Sequence, residues 1–168
     1  MDPRLPRWFF VIFAAYGILQ FWHDYSHLPN IVAGHFNAAG TPNGWEMKQS
    51  LGAVYAVVML LCAGLVFVIP EVIARAPSIN LPNRDYWLAP ERREASIRFL
   101  GASFGWFGCA TLVLMVLVFR FVEEFNLRPA NPPNPAQLWY FLAGYGAFMV
   151  IWTAVLLVRF SGVPADGR

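Results

Sequence analysis

The sequence predicts an all-α fold, an integral membrane four-helix bundle whose N and C termini are cytoplasmic. Hydrophobic residues make up 58% of the 168 residues and charged residues only 13%, whereas soluble domains typically contain about 45–50% and about 25%. The apolar residues are gathered in four blocks, and the arginines are concentrated in the segments on one side of those blocks. Together these features indicate a single transmembrane domain covering 1–168.

The four apolar blocks predict spanning helices because they show no period-two alternation and approach the roughly 20 residues that cross hydrocarbon. We expect the spans at about 5–25, 49–70, 97–122 and 137–160. The second span is expected to break at Pro70, near its far end. A helix starting at about Pro90 is expected to lead into the third span, because proline suits the first helical turn.

The distribution of cationic residues predicts the orientation. One side carries Arg4, Arg7, Arg75, Arg84, Arg92, Arg93, Arg98, Arg159 and Arg168, and the other carries Lys48, Arg128 and the span-end Arg120. Because cytoplasmic loops are enriched in Lys and Arg, the loop 75–97 is expected inside. The loops 26–47 and 123–136 are then expected outside.

Several functional classes find no support in the sequence. The net charge of +2 provides no basic field for nucleic acid. No framed nucleophile or phosphate loop indicates an enzyme, and no cofactor is expected. We place Glu123 in the outer loop, so no charged residue is expected deep in a span, where it would mark an ion path. The glycines Gly101, Gly105 and Gly108 favour close helix contact, either within the bundle or between two copies.

The first outer loop is the predicted binding surface. Its polar segment is expected to turn at Thr41–Gly44, where proline and glycine suit the central turn positions. The residues expected to bind a ligand or partner are His35, Asn37, Gly40, Trp45 and Lys48. The alternative is a loop whose polar groups only satisfy its own backbone.

The same loop raises a metal-binding alternative. His23 and His27 are four residues apart, so a helix would place them on one face, and Asp24 and His35 could complete a site. The pair alone is a weak signal, and the competing interpretation is that both are polar interface residues at the end of the first helix.

The inner loop combines turn-forming residues with aromatic and basic ones. Its expected contacts with a cytoplasmic protein or anionic lipid are Asn83, Tyr86, Trp87, Arg92 and Arg93. The alternative is a structural elbow that Tyr86 and Trp87 anchor at the membrane surface.

A family resemblance adds to this interpretation. The outer pattern Leu28-Pro29, His35-Phe36-Asn37, Gly40, Pro42, Gly44-Trp45 and Lys48 resembles the membrane domain at the N-terminus of SdpI-type bacteriocin-immunity proteins. The inner string from Asn80 to Arg93 is similar to a segment of stand-alone members. The resemblance implies a bacterial plasma-membrane protein with a role in toxin immunity or signalling. SdpI proteins are longer, and no match to their C-terminal region is recognised here.

The sequence therefore predicts a non-enzymatic, multi-pass membrane protein with a binding, sensing or immunity-type role. Its expected partners are the lipid bilayer, a peptide or protein at the outer loop, and a cytoplasmic protein at the inner loop. Two alternatives remain open: a metal-binding membrane enzyme or sensor, and an accessory subunit of a larger membrane complex.

Overall fold

The computed structural model describes Asp2 and residues 4–163, and it is mostly helical. The elements in chain order are α1 (Arg4–Tyr25), β1 (Ile31–Phe36), β2 (Pro42–Met47), α2 (Lys48–Ala63), a π turn (Gly64–Val68), α3 (Ile69–Arg75), α4 (Arg84–Trp87), α5 (Pro90–Leu127) and α6 (Ala136–Ser161). Arg168, counted in the orientation argument, lies outside the described residues.

Four helices of the described chain are long and apolar enough to cross a membrane: Arg4–Tyr25, Lys48–Arg75, Pro90–Leu127 and Ala136–Ser161. The predicted helical fold with four candidate membrane-spanning helices is thus confirmed, and the side on which the termini lie stays a prediction. The chain turns back after each of the first three of these helices, which gives the molecule two ends. The hairpin end holds β1, β2 and the link between α5 and α6, and the elbow end holds the connection from α3 to α5.

Helix α5 is the centre of the packing. A stripe at helical spacing on α5 is buried, including Leu112, Val116 and Phe119. Against it pack α1 and α2, whose rings Phe21 and Tyr55 stack with centroids 3.8 Å apart. These contacts form one continuous apolar core, as expected for helices packed by dispersion in a membrane.

Helix α6 attaches to the bundle along one side. Trp152 Nε1 donates to the Ser103 carbonyl of α5 at 3.0 Å, and the hydroxyls of Tyr145 and Thr111 lie 2.9 Å apart. Phe160 is the one α6 residue that is fully buried within the described chain. The rest of the helix presents an apolar surface suited to a lipid environment.

The expected break at Pro70 is wrong. The second helix passes through Pro70 and continues to Arg75 because a π turn precedes the proline. Within that turn the Ile69 N–H donates to the Gly64 carbonyl, five residues back. Such a widened turn relieves the crowding that a proline ring otherwise causes against the carbonyl four residues before it.

The extension places Glu71 beside α1. Its carboxylate pairs with the Arg7 guanidinium at 2.8 Å, which joins the first and second helices at the elbow end.

Glycines of α5 allow the close helix contacts. A Cβ on Gly105 would lie 2.8 Å from the Pro6 ring of α1, and one on Gly108 would lie 2.6 Å from Val66 Cγ2 in the π turn. The contact predicted from Gly101, Gly105 and Gly108 is therefore confirmed as one within the bundle.

We expect Gly108→Ala to destabilise the protein by about 1–3 kcal/mol, because the added methyl overpacks a buried site. Gly144→Ala in α6 is the matched control, since a Cβ there meets nothing within 4 Å. Urea unfolding of both variants in the same detergent measures the difference. Equal stability of the two variants would contradict the packing of α5 on the π turn.

Candidate functional site at the hairpin end

The strands β1 and β2 pair antiparallel, with Ile31 opposite Met47 and Ala33 opposite Trp45. The register shifts around His35, which pairs with Gly44, so the ladder is bulged there. One face of the hairpin is buried through Val32, whereas Ile31, Trp45 and Met47 on the other face are more than half exposed. Ala33, on the same face as these three residues, is buried. The outer face of the hairpin is thus apolar, and its three larger side chains are uncovered within the described chain.

The hairpin turn lies earlier than expected. The sequence indicated a turn at Thr41–Gly44, but Pro42–Met47 forms β2, and the chain reverses between Asn37 and Thr41. The Asn37 side-chain oxygen accepts the Ala39 and Thr41 N–H groups, each at 3.0 Å. Gly40 then takes a φ of +72°, a conformation that glycine adopts without a Cβ penalty. These two residues fix the turn, and Pro42 begins the strand, where proline is tolerated.

The carboxamide of Asn126, on the last turn of α5, holds the outer edge of β1. Its Oδ1 accepts the Ala33 N–H at 2.7 Å, and its Nδ2 donates to the Ala33 carbonyl at 3.0 Å. The ring of Phe36 packs edge-on against Phe121 and Phe125 of the same helix. One side chain therefore replaces the backbone partners that a third strand would supply.

Two further contacts tie the hairpin to α6. Trp139 Nε1 donates to the Ala38 carbonyl at the turn, at 3.1 Å. Gly40 lies directly on Pro135, the residue before α6, so a Cβ there would clash with the proline ring. At the other end of the hairpin, the Lys48 N–H donates to the Asn30 carbonyl at 3.0 Å. The hairpin is consequently a fixed part of the bundle.

The structure separates the predicted outer-loop residues into two groups. Asn37 and Gly40 build the turn, and Lys48 begins α2 and directs its ammonium to the Leu28 carbonyl at 3.3 Å. His35 and Trp45 remain exposed. The surface left for recognition is therefore smaller than the predicted set.

The two hydrogen bonds between Asn126 and Ala33, called the clamp from here on, determine which backbone groups of β2 are free to bond with another strand. In an antiparallel ladder, opposed residues alternate between bonded and non-bonded pairs. Because both backbone groups of Ala33 go to Asn126, the Ala33–Trp45 pair is non-bonded. The Trp45 N–H and carbonyl therefore point out of the free edge of β2, where no partner is found among the described residues.

The predicted metal ligands do not assemble into a metal site. The rings of His23 and His27 lie with centroids 5.4 Å apart, and His27 Nδ1 is 2.9 Å from the His23 carbonyl. His35 lies on the hairpin. Within the described part of the chain, no three His, Cys, Asp or Glu side chains are grouped so that they could hold a metal ion.

The inner-loop residues are engaged within the chain. Asn83, at a φ of 52°, donates through Nδ2 to the Phe160 and Ser161 carbonyls at 3.1 and 2.9 Å. Buried Trp87 donates to the same Phe160 carbonyl at 3.2 Å. Both residues therefore cap the end of α6, whose last carbonyls lack helical partners.

The two inner-loop arginines also have partners in the fold. Arg92 lies over the Tyr86 ring, with Cζ 4.0 Å from its centroid, and Nε donates to the Tyr86 carbonyl at 2.9 Å. Arg93 donates to the Ala76 carbonyl at the end of α3, at 2.8 Å. The geometry thus favours the structural-elbow interpretation of this loop over a docking site built on these two arginines.

One residue of interest was missed. Glu123 was expected in the exposed loop 123–136, but α5 continues to Leu127 and the Glu123 side chain is fully buried. Its Oε2 accepts from Gln20 Nε2 of α1 at 2.8 Å, and the same nitrogen donates to Asp24 at 2.6 Å. A usable signal was present, because Glu123 continues the buried helical spacing of Val116 and Phe119.

The fold is that of a multi-pass membrane protein, and comparison with known proteins identifies one domain within it. Residues 8–61, from α1 through the hairpin into α2, match the model of DUF1648, a domain of unknown function. No curated protein and no solved structure matches the chain. The match covers the predicted outer-loop surface and ends before the elbow.

We expect Asn126→Ala to loosen the hairpin, because the Ala33 N–H and carbonyl lose their partners at a cost of about 1–3 kcal/mol. Hydrogen exchange of the 31–36 segment in lipid nanodiscs measures the change. Asn43→Ala, at an exposed position of β2, is the control and should leave exchange unchanged. Equal protection in both variants would contradict the clamp.

Proposed function

We propose that the protein is a non-enzymatic, multi-pass protein of the plasma membrane that binds an extended peptide segment along the free edge of its hairpin. The observation that carries the proposal is the asymmetry of the two hairpin edges. Asn126 closes the β1 edge, whereas Trp45 presents its N–H and carbonyl on the β2 edge. An unpaired strand edge is a template for strand addition by another chain.

The side chains around this edge support an apolar peptide as the ligand. Ile31, Trp45 and Met47 share the outer face of the hairpin and are exposed. A strand added to β2 would extend that face, and every second side chain of the peptide would contact it. Because the hairpin is already tied to α5 and α6, little ordering would be needed on binding, which favours affinity.

The biological setting of the proposal comes from the resemblance and the charge distribution. The DUF1648 match covers the hairpin, and the resemblance to the membrane domain of SdpI-type immunity proteins makes a bacterial peptide toxin the first ligand class to test. The excess of arginines at the elbow end supports a cytoplasmic elbow and an external hairpin. In this orientation the β2 edge meets extracellular peptides.

We expect a cysteine at Asn43 to react with a membrane-impermeant maleimide applied to intact cells, and a cysteine at Ser78 to react only after lysis. Both positions are exposed, so their chemistry is matched and only the side of the membrane differs. The native Cys62 and Cys109 are buried and serve as the background control. The reverse labelling pattern would place the hairpin inside and remove external peptides from consideration.

We expect Trp45→Pro to weaken binding of peptides selected from a random linear phage library panned on the protein in nanodiscs. The substitution removes the outward N–H, and losing one hydrogen bond corresponds to about a tenfold loss of affinity. Trp45→Ala is the matched control, because it removes the indole but retains the N–H. Calorimetry with the synthetic peptides should show the proline variant weaker than the alanine variant.

Two results would overturn strand addition. One is an absence of peptides enriched over empty nanodiscs. The other is that Trp45→Pro and Trp45→Ala lower the affinity equally, and that N-methylation of the peptide backbone leaves binding unchanged at every position. Strand addition instead requires sensitivity at alternate peptide residues, because alternate N–H groups face the protein.

A further inference from the structure

Near the end of α5, the core contains a carboxyl group with an unusual environment. Glu123 is 0% exposed, in the layer of core where α1, α2 and α5 meet. Its Oε2 accepts a hydrogen bond from Gln20, but its Oε1 is buried without a partner within the described chain. Buried polar atoms are nearly always paired, and an ionisable residue inside a membrane helix usually marks a functional site.

No cation neutralises this carboxyl group through a hydrogen bond. From α1 it faces Asp24, another acid, which shares the Gln20 amide with it. On α5 itself, Arg120 is committed to the Tyr16 hydroxyl at 2.9 Å, and Glu124 pairs with Arg128 at 3.0 Å. The titratable residue on the inner side of the hairpin is Glu46, a further acid, which lies over Gly34.

The remaining neighbour is Tyr55 of α2, which is 6% exposed. Its ring stacks on Phe21, adjacent to Gln20, and lies 4.9 Å from Phe119, one turn from Glu123. Its hydroxyl is likewise buried without a partner among the described residues. Two unpartnered oxygens thus lie in the same layer of the core.

The donor set distinguishes a proton from a metal ion. Cations such as Ca²⁺ and Mg²⁺ require six or more oxygen ligands, and no three acidic, histidine or cysteine side chains of the described chain form such a group. A proton needs only one carboxyl oxygen. It also removes the charge, whose burial without a partner would be costly.

A polar cavity is lined by residues that neighbour Gln20 and Glu123 in the sequence. It has a volume of about 100 Å³ and is lined by Asp24, Arg120, Glu124, Leu127 and Arg128. Since a water molecule occupies about 30 Å³, a few waters fit there. Asp24 borders this cavity and shares the Gln20 amide with Glu123, so the cavity places water beside the acid that is linked through Gln20 to the buried carboxyl group.

We propose that Glu123 is a proton-binding site that controls the docking of the hairpin. In the docked state Oε1 carries the proton. On release, the O–H bond breaks, its electron pair stays on the carboxylate, and a water molecule takes up the proton. The buried charge then draws water into the end of the bundle. Asn126 lies one turn beyond Glu123 on α5, so its two hydrogen bonds to Ala33 weaken when water enters.

This inference is independent of peptide binding, and it is tested without a peptide. Infrared spectra of the full chain in nanodiscs are recorded while the pH is raised, to follow the carboxylic acid C=O band. Glu123→Gln should lose that band. Glu124→Gln should retain it, because the adjacent Glu124 is partly exposed and paired with Arg128, which makes it the matched control.

A second measurement follows the hairpin. After correction for the intrinsic pH dependence of amide exchange, the protection of the 31–36 segment should fall as the pH rises in the wild-type protein and in Glu124→Gln, and should stay constant in Glu123→Gln. If Glu123→Gln does not fold, ¹³C-labelled glutamate in the wild-type protein supplies the assignment, because the band must shift with that label.

Three outcomes would overturn the proposal. The band could be absent from the wild-type protein, it could persist unchanged in Glu123→Gln, or it could fail to shift with labelled glutamate. Loss of the band on adding sodium or magnesium at constant pH would show that a metal ion displaces the proton, and the site would then be assigned to a metal ion. Hairpin exchange with the same pH dependence in Glu123→Gln would disprove the coupling.

Discussion

The two hydrogen bonds between Asn126 and Ala33 are the constraint on which the hairpin end depends. Backbone groups buried beside a helix must find partners, and β1 has no second strand on that edge. A single carboxamide supplies both a donor and an acceptor in the geometry of a missing strand. The clamp therefore determines which face the hairpin buries and which edge it exposes, and it holds the hairpin against the end of the bundle.

The parts of the fold that depend on local pattern could be predicted from the sequence. Block length gave the four helices, and the spacing of Gly101, Gly105 and Gly108 indicated a close contact that the structure locates on Pro6, Val66 and Pro70. Pro70 shows the limit of such reasoning. A proline rule predicts a break, but whether a helix bends, breaks or widens depends on the packing of the preceding turn, which no local pattern reports.

The candidate site was harder to predict because its key groups meet across long stretches of chain. Glu123 and Gln20 are more than a hundred residues apart, as Asn126 and Ala33 nearly are. Composition places two adjacent glutamates at the end of an apolar run, where exposure is the usual outcome. Leu112, Val116 and Phe119 lie on the buried side of α5, and the same helical spacing places Glu123, but not Glu124, on that side. This argument applies only if α5 extends past Glu123, which the sequence alone did not indicate.

The two ends of the bundle use their polar residues differently, and this difference supports the proposed site at the hairpin end. At the elbow end, Asn83, Arg92 and Arg93 direct their donors to backbone carbonyls of the same chain, and Glu71 pairs with Arg7. Those groups contribute to stability. At the hairpin end, the β2 edge and the Glu123 carboxyl group retain unpaired atoms within the described residues.

A buried group left unpaired lowers stability unless it acquires a partner, whereas the β2 edge at the exposed Trp45 is open to water. The occurrence of both close to the residue that holds the hairpin is the pattern expected of a functional site. Under the two proposals, the β2 edge would accept a peptide, and Glu123, one turn before Asn126 on α5, would accept a proton. Binding at either would change the free energy of hairpin docking, so the two are expected to influence each other through Asn126.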